Sequence, residues 1–488
     1  MTTYADTMRA PQPDLRSRLR WYSGRGETAV IILVALILTV LAMLWSYHIK
    51  IRCGGEPFNP LGRSAHFPGG DQSRLLPCYS DVYQLWLDRD VDKHVFPYIH
   101  GGIHPDGTLY GGVVEYPVLS GMLIYLGAIG AHNDTEFFTH TVWLLAPFAL
   151  LITIILALMA RWRVLLWVAT PPIVLYAFHN WELPVVATTV GAIAVMAWGA
   201  TTSPRTGQRR LSLRTAAACA SALLAIGFCL KLYPGLFVLP LALYVLYRGA
   251  DGVRGRQPDW AGAGLVVGAA AVTTLIIQLP FVLLGFDGWL AAWQFQSDRS
   301  ADATANSIWY WGFRFLTGGS VTDTYNAIVG VASPLLILCS FAVAIALGRR
   351  RMAQIGTFPW IGVAASMLAG FMVFHKVHSP QYTLWLMPFF VLLNVRWTVI
   401  AAYLATDLIL DIAIFRYIGF INSGWPSWVT IGGVAGSVWV HAVLLVVLIV
   451  TFVRTPLREP LATMMSRKNP VDTADTVKPT ARPEESVQ

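Results

Sequence analysis

The sequence predicts an all-α polytopic membrane protein of about twelve transmembrane helices, and three observations carry that prediction. The 488 residues are 55% hydrophobic and only 13% charged, with a mean hydropathy of +0.55. Their apolar residues fall in runs, most of them near the ~20 residues that span a bilayer as helix. The arginines gather in alternate short connections, the asymmetry that orients a chain in a membrane.

The first run, 28–47, follows a basic segment with Arg9, Arg16, Arg18, Arg20 and Arg25. It is longer than the apolar core of a signal peptide, so it reads as a retained anchor with residues 1–27 in the cytoplasm. Further runs follow at 113–131, 139–160, 164–178, 183–200, 213–230, 234–247, 260–284, 325–347, 356–374, 380–395, 397–415 and 430–453. Residues 28–453 thus form one multispan domain. The remainder, 454–488, is rich in Pro, Ser, Thr and charge, the composition of a disordered tail. Arg161 and Arg163, then Arg205, Arg209, Arg210 and Arg214, Arg248, Arg254 and Arg256, Arg349 to Arg351, Arg396 and the tail from Arg454 fall inside. Connections 49–112, 179–182, 231–233, 285–324, 375–379 and 416–429 then fall outside. The net charge of +8 is spread over those cytoplasmic loops and forms no nucleic-acid patch. Both termini inside require an even number of crossings, so one of the thirteen runs does not cross. The shortest suspects are 113–131 and 164–178.

The outer loop 49–112 is far longer than an ordinary connection, which marks it as functional. Tyr79, Val82, Tyr83 and Trp86, between Leu75 and Leu87, recur at helical spacing and predict an interfacial amphipathic helix. Turn signals surround it at Gly54-Gly55, Asn59-Pro60, Pro68-Gly69-Gly70 and Gly101-Gly102. Cys53 and Cys78 share this loop, either as a disulfide or as two thiols; Cys219, Cys229 and Cys339 lie in apolar spans. The outer stretch 285–324 carries Trp289, Trp293, Trp309, Tyr310 and Trp311, suited to an interfacial belt or to stacking on sugars.

Polar groups collect at the outer ends of spans. His375-Lys376-Val377-His378 precedes Ser379-Pro380-Gln381-Tyr382, and ionisable groups are tolerated at such depth where they wall a polar cavity. Lys231 and either Arg299 or Arg314 add positive charge, and His179-Asn180-Trp181-Glu182 adds polar groups on the same side. Such a set suits an anionic leaving group. Asp81, between aromatic residues, suits a general base taking a proton from a hydroxyl, or else it caps the helix that follows. Asp88, Asp90 and Asp92 read as a solvated face. Glu115 caps the next apolar run or lines the same cavity with Tyr116. A transporter would place its key polar residues at mid-membrane on broken helices, and a flippase would not require Asp81.

Ser80-Asp81-Val82-Tyr83, Val114-Glu115-Tyr116-Pro117, Asn180-Trp181-Glu182, Lys231-Leu232-Tyr233-Pro234, and Ser379-Pro380-Gln381-Tyr382 with Leu384-Trp385-Leu386-Met387-Pro388 together resemble the C-type (GT-C) membrane glycosyltransferases. Within these they resemble family 87, the polyprenyl-phosphate-sugar-dependent enzymes of actinobacterial envelopes. The likeness runs from about residue 75 to 395. It implies a GT-C fold with a catalytic Asp on the first long extracytoplasmic loop, in the plasma membrane. It implies a polyprenyl-phosphate sugar donor, mannose or as runner-up arabinofuranose, and a glycolipid or lipoglycan acceptor. Asp81 would be the base, His375 and His378 would assist the phosphate, and Lys376, Lys231 and Arg299 would bind it. Glu115, Tyr116, Asn180, Glu182, Gln381 and Tyr382 would line the cavity. No further cofactor is implied. A divalent metal is left open, since the loop carries no clear Asp-x-Asp unless Asp88-Arg89-Asp90 or Asp90-Val91-Asp92 serves.

Overall fold

The computed structural model describes residues 15–67, 78–249, 257–421 and 428–466. Arg9, the Pro68-Gly69-Gly70 turn, the start of the aromatic stripe at Leu75, Arg254, Arg256 and the tail beyond Ser466 lie outside them. Apolar runs become helices where polar residues at their edges satisfy the free N–H groups of the first turn. Asn133 accepts from Glu136 N at 2.9 Å, Ser212 from Thr215 N at 3.1 Å, Asp259 from Gly262 N at 3.0 Å and Thr322 from Tyr325 N at 3.1 Å.

Among the described residues eight helices are long and apolar enough to cross a membrane, which makes the protein multi-pass. They are α1 (Leu15–Lys50), α4 (Asp134–Ala160), α7 (Glu182–Ala200), α8 (Leu213–Leu230), α10 (Trp260–Leu284), α13 (Asp323–Ile355), α16 (Trp397–Ile421) and α17 (Trp428–Arg454). Between α1 and α4 come α2 (Asp81–Asp88), a short antiparallel pair of Gly102–Ile103 with Leu109–Tyr110, and α3 (Val118–Ala128).

Four further segments run between the same two ends as short or broken helices. Pro171 and Pro172 lack N–H groups and split 161–178 into α5 (Leu165–Val168) and α6 (Pro171–Tyr176). That segment begins at Arg161, paired with Glu27 at 2.5 Å, and ends at His179, whose carbonyl accepts from Asp81 N at 2.9 Å. A 3₁₀ turn, Tyr233–Phe237, and α9 (Val238–Leu246) descend from the Lys231 end to Leu246, whose carbonyl accepts from Asp259 N. α14 (Trp360–Phe374) returns, and α15 (Thr383–Leu392) descends to Leu392, bonded by Arg458 N at 2.8 Å. α15 is buried along its whole length and packs against α7 and α14. α11 (Phe286–Asp298) and α12 (Ile308–Trp311) lie at the Asp81 end; α18 (Leu461–Met465) lies at the other, where Met465, Gly199 and Tyr244 line one small void.

The run at 113–131 starts and finishes at one end. α3 has 11 residues, ~16 Å of helix against the ~30 Å hydrocarbon layer. Tyr98 donates to Tyr116 O at 2.9 Å before it, and the His94 ring bonds Ala128 O at 2.9 Å at its last turn. Ser120 within it donates to Leu230 O at 2.7 Å.

Two expectations for the outer loops are corrected. The stripe of Val82, Tyr83 and Trp86 packs on protein instead of lying in the interface: Tyr83 stacks on Phe138 at 4.7 Å, and the Trp86 indole donates to Leu61 O at 3.0 Å. Trp309 and Trp311 are likewise buried, donating to Phe374 O and Ala303 O, so they anchor the 299–311 segment and do not form a belt. Cys53 and Cys78 form a disulfide with Cα atoms 5.5 Å apart. The 25-residue separation corresponds to about 3.5 kcal/mol of lost unfolded-state entropy in the chain-closure account.

Candidate active site

The disulfide brings the chain from the end of α1 directly to Tyr79, Ser80 and Asp81. Lys50 Nζ donates to Tyr79 O at 2.6 Å. The Ser80 hydroxyl caps α2 by accepting from Val82 N, and it donates to Phe178 O at 2.8 Å and His179 O at 3.1 Å. Asp81 is therefore the first residue of α2 and not its cap; Ser80 has that role. The 178–182 strap is stitched to α2 by these bonds.

The strap delivers Asn180 to Asp81. The Asn180 Oδ1 accepts from Trp181 N at 2.6 Å, which fixes the amide so that its NH₂ faces the carboxylate. That NH₂ donates to Asp81 Oδ2 at 2.5 Å and to Tyr116 Oη at 2.8 Å. The amide aims the carboxylate by donating to it. Burial pushes the Tyr79 and Tyr116 phenols well above their ordinary pKa and His179 well below its own, so all three stay neutral.

Asp81 faces a cavity of about 490 Å³. Its polar lining includes Gln84, Arg89, Glu115, Tyr116, Lys231, Gln296, Arg299, Asn306, His375, Gln381 and Tyr382, and Tyr79, Ile414 and Phe415 add aromatic and apolar surface. Of its three permanent cations, two are matched by acids of the protein. Arg89 Nε bonds Glu115 Oε2 at 2.9 Å, and Lys231 Nζ bonds Glu182 Oε1 while lying 4.8 Å over the Tyr116 ring. Arg299 has no ion-pair partner among the described residues. Among the described residues the cavity thus holds one cation without an ion-pair partner, in the same lining as Asp81, with Glu115 and Asp302 acting on it only through space.

A narrower groove of about 110 Å³ shares Glu115, Tyr116, Lys231, Gln296, His375 and Tyr382 with this cavity and continues past Tyr233, Trp293, Phe371 and Trp385 to Leu232, which is exposed. Tyr382 stacks on Trp385 at 3.8 Å and Trp385 on Tyr233 at 4.3 Å. The Trp385 indole donates to Glu182 Oε2 at 2.5 Å. Glu182 is fully buried behind this stack and does not line the cavity, so it is a support for Lys231 and Trp385.

Several expected roles change on this geometry. α14 ends at Phe374 and His375 is extended (φ −67°, ψ 140°), so the two histidines expected to assist the phosphate part ways after it. His375 lines the cavity, with Nδ1 2.6 Å from Val377 O and its ring stacked on Phe371. Burial lowers it to about 4, so it serves as a neutral hydrogen-bonding group and not as a cation. His378 turns away: Nδ1 bonds Met372 O at 3.1 Å, and the ring lies 6.1 Å from His441 in a separate small void. Burial holds it near 4 as well. The Lys376 ammonium reaches Ser297 O at 2.8 Å, outside the cavity lining. Glu115 lies before Pro117, the residue that precedes α3, and faces the cavity instead of capping.

Sequence reasoning passed over Arg89, Gln84, Gln296, Asn306 and Phe415 as lining residues. It also passed over Asp407 and Asp411, two buried acids four residues apart on α16. Asp407 accepts from Thr383 at 2.5 Å and from Tyr176 at 3.0 Å, tying α16 to α15 and α6. Two carboxylates at i, i+4 in an apolar run were a readable signal. Asp90 accepts from Gly111 N and pairs with Lys93 at 2.7 Å, away from the cavity. Among the described residues no three of His, Cys, Asp and Glu gather as a metal-ligand set.

No family model and no curated protein matches the chain. Among solved structures, the Archaeoglobus fulgidus oligosaccharyltransferase in its apo form is similar over 85% of the chain, at 12% identity and a TM-score of 0.36. The chain spans 56% of that protein's length. A likeness this weak carries no argument for fold or activity.

Proposed function

We propose that this chain is a C-type membrane glycosyltransferase that moves a sugar, mannose by its family-87 resemblance, from a polyprenyl phosphate to a hydroxyl of a glycolipid or lipoglycan. The observation that carries the reading is one cavity lined both by a carboxylate aimed by Asn180 and by Arg299, a cation with no ion-pair partner among the described residues. A polyprenyl-phosphate sugar is a phosphodiester with one negative charge, which matches that cation. The aromatic groove past Tyr382 and Trp385 suits the first isoprene units of its tail.

In the reaction Asp81 takes the proton of the acceptor hydroxyl as its oxygen bonds to the anomeric carbon. The bond from that carbon to the phosphate oxygen breaks with inversion, and the phosphate leaves with the electron pair. Arg299 and Lys231 stabilise the charge that develops on it, and His375 offers a neutral hydrogen bond. Most of the protein's contribution is orientation of two lipid-borne substrates. The purified protein, offered polyprenyl-phosphate mannose and polyprenyl-phosphate arabinofuranose separately, is expected to consume the first and form a product of inverted anomeric configuration. Consumption of neither would end the glycosyltransferase reading, and consumption of arabinofuranose alone would reassign the sugar.

The same reading sets twelve crossings, with α3 on the outer side and the site in the outer leaflet region. Support comes from the gathering of Arg161, Arg214, Arg248 and Arg458 at the end opposite Asp81. Single cysteines at 106 and 205 test it with a membrane-impermeant thiol reagent on intact cells. Position 106 is expected to label and 205 not to; the reverse pattern inverts the topology.

A further inference from the structure

At the end of the bundle away from Asp81 lies a second large pocket, of about 400 Å³, within the ~300–1,000 Å³ range of small-molecule sites. One wall is the turn between α13 and α14, from Ile355 through Phe358 to Trp360. The other is the segment after α17, Thr455 to Leu457, with Ala462 and Met465 of α18; Tyr244 and Leu393 also line it. Its lining is predominantly apolar, yet Arg351 stands at the same pocket. The Arg351 guanidinium touches Gln354 at 2.9 Å, and neither it nor Arg349, Arg350 or Arg454 has an acid partner among the described residues. Glu459, the acid nearest Arg454 in sequence, accepts from the Thr463 hydroxyl. Two donors on lining residues, the Thr357 hydroxyl and the Trp360 indole N–H, are buried without an acceptor.

An apolar pocket beside unmatched cations, at the level where spanning helices end, has the chemistry of a lipid site. We propose that it holds an acyl chain of an anionic phospholipid from the adjoining leaflet, with the lipid phosphate against Arg351 and its arginine neighbours. The chain's own tail is a poor occupant: residues 467–488 contain no Leu, Ile, Met, Phe, Tyr or Trp, and carry Asp472, Asp475, Glu484 and Glu485. Each cation beside an anionic lipid surface is worth ~1 kcal/mol, or about fivefold in occupancy, which sets the scale of selectivity over a zwitterionic lipid.

The full-length protein in neutral detergent, given dioleoyl phosphatidylglycerol or dioleoyl phosphatidylcholine, tests this by native mass spectrometry and thermal unfolding. A phosphatidylglycerol adduct is expected to survive and to raise the unfolding midpoint, and phosphatidylcholine to do neither. Arg351→Gln should lower phosphatidylglycerol occupancy about fivefold, and Ala462→Phe, which fills the pocket, should remove it. Arg351 is partly exposed, so its variant decides the matter if Ala462→Phe fails to fold. Equal retention of both lipids, or a phosphatidylglycerol adduct indifferent to Arg351→Gln, overturns the proposal. So does an adduct seen only after the chain is ended at Ser466, which would place the tail in the pocket.

Discussion

Asp81→Asn is expected to lower sugar transfer by about 10²–10⁴-fold with folding and donor affinity close to those of the parent. The replacement keeps the side chain's size. Its amide oxygen can still accept from Asn180, so the stitching of the 178–182 strap to Ser80 and Asp81 N survives. What is lost is basicity. Turnover, donor binding and the unfolding midpoint, measured on the same preparation, separate these effects. Glu115 is the other carboxylate lining the cavity, and its Oε2 is already bonded by Arg89. Parent-like turnover in Asp81→Asn together with loss in Glu115→Gln would move the base to Glu115.

The membrane fold was legible because apolar runs and sided arginines are local properties of the chain. The exception at 113–131 was legible only in part. Pro117 shortens the helix to 11 residues, but its return to the same end depends on Tyr98 and His94, which the chain supplies from another segment. The site divides along the same line. Ser80-Asp81 and Asn180 were readable as polar residues at span ends. Their 2.5 Å contact follows from the strap and α2 sharing backbone bonds, which no spacing encodes. His375 and His378 were readable as a pair beside the cavity, but the helix stops at Phe374 and only His375 lines it. Charge compensation was the least legible feature. Lys231, Lys376, Arg89 and Arg299 look alike in the sequence, and only the placement of Glu182, Ser297 O and Glu115 shows which three are already engaged.

That difference among cations makes Arg299 the second large effect. Arg299→Gln is expected to weaken donor binding by roughly 10- to 150-fold, the ~1.5–3 kcal/mol of a hydrogen bond to a charged group. Among the described residues no acid forms an ion pair with this guanidinium, so a phosphate would be its first direct anionic partner, and that contact is what the substitution removes. Arg299→Lys should recover only part of it, because an ammonium keeps the charge and forfeits the planar two-point grip. Lys376→Gln should change donor affinity little, since that ammonium spends itself on Ser297 O at 2.8 Å. Lys231→Gln is a different kind of loss, for it strands Glu182 as a buried acid and should cost stability before it reports on the donor. Titration of the four variants with a short-chain polyprenyl-phosphate mannose, beside their unfolding midpoints, orders them. Should Arg299→Gln bind within twofold of the parent while Lys376→Gln fails, the phosphate rests at the mouth between Ser297 and Lys376, and Arg299 only shapes the wall beside Tyr382.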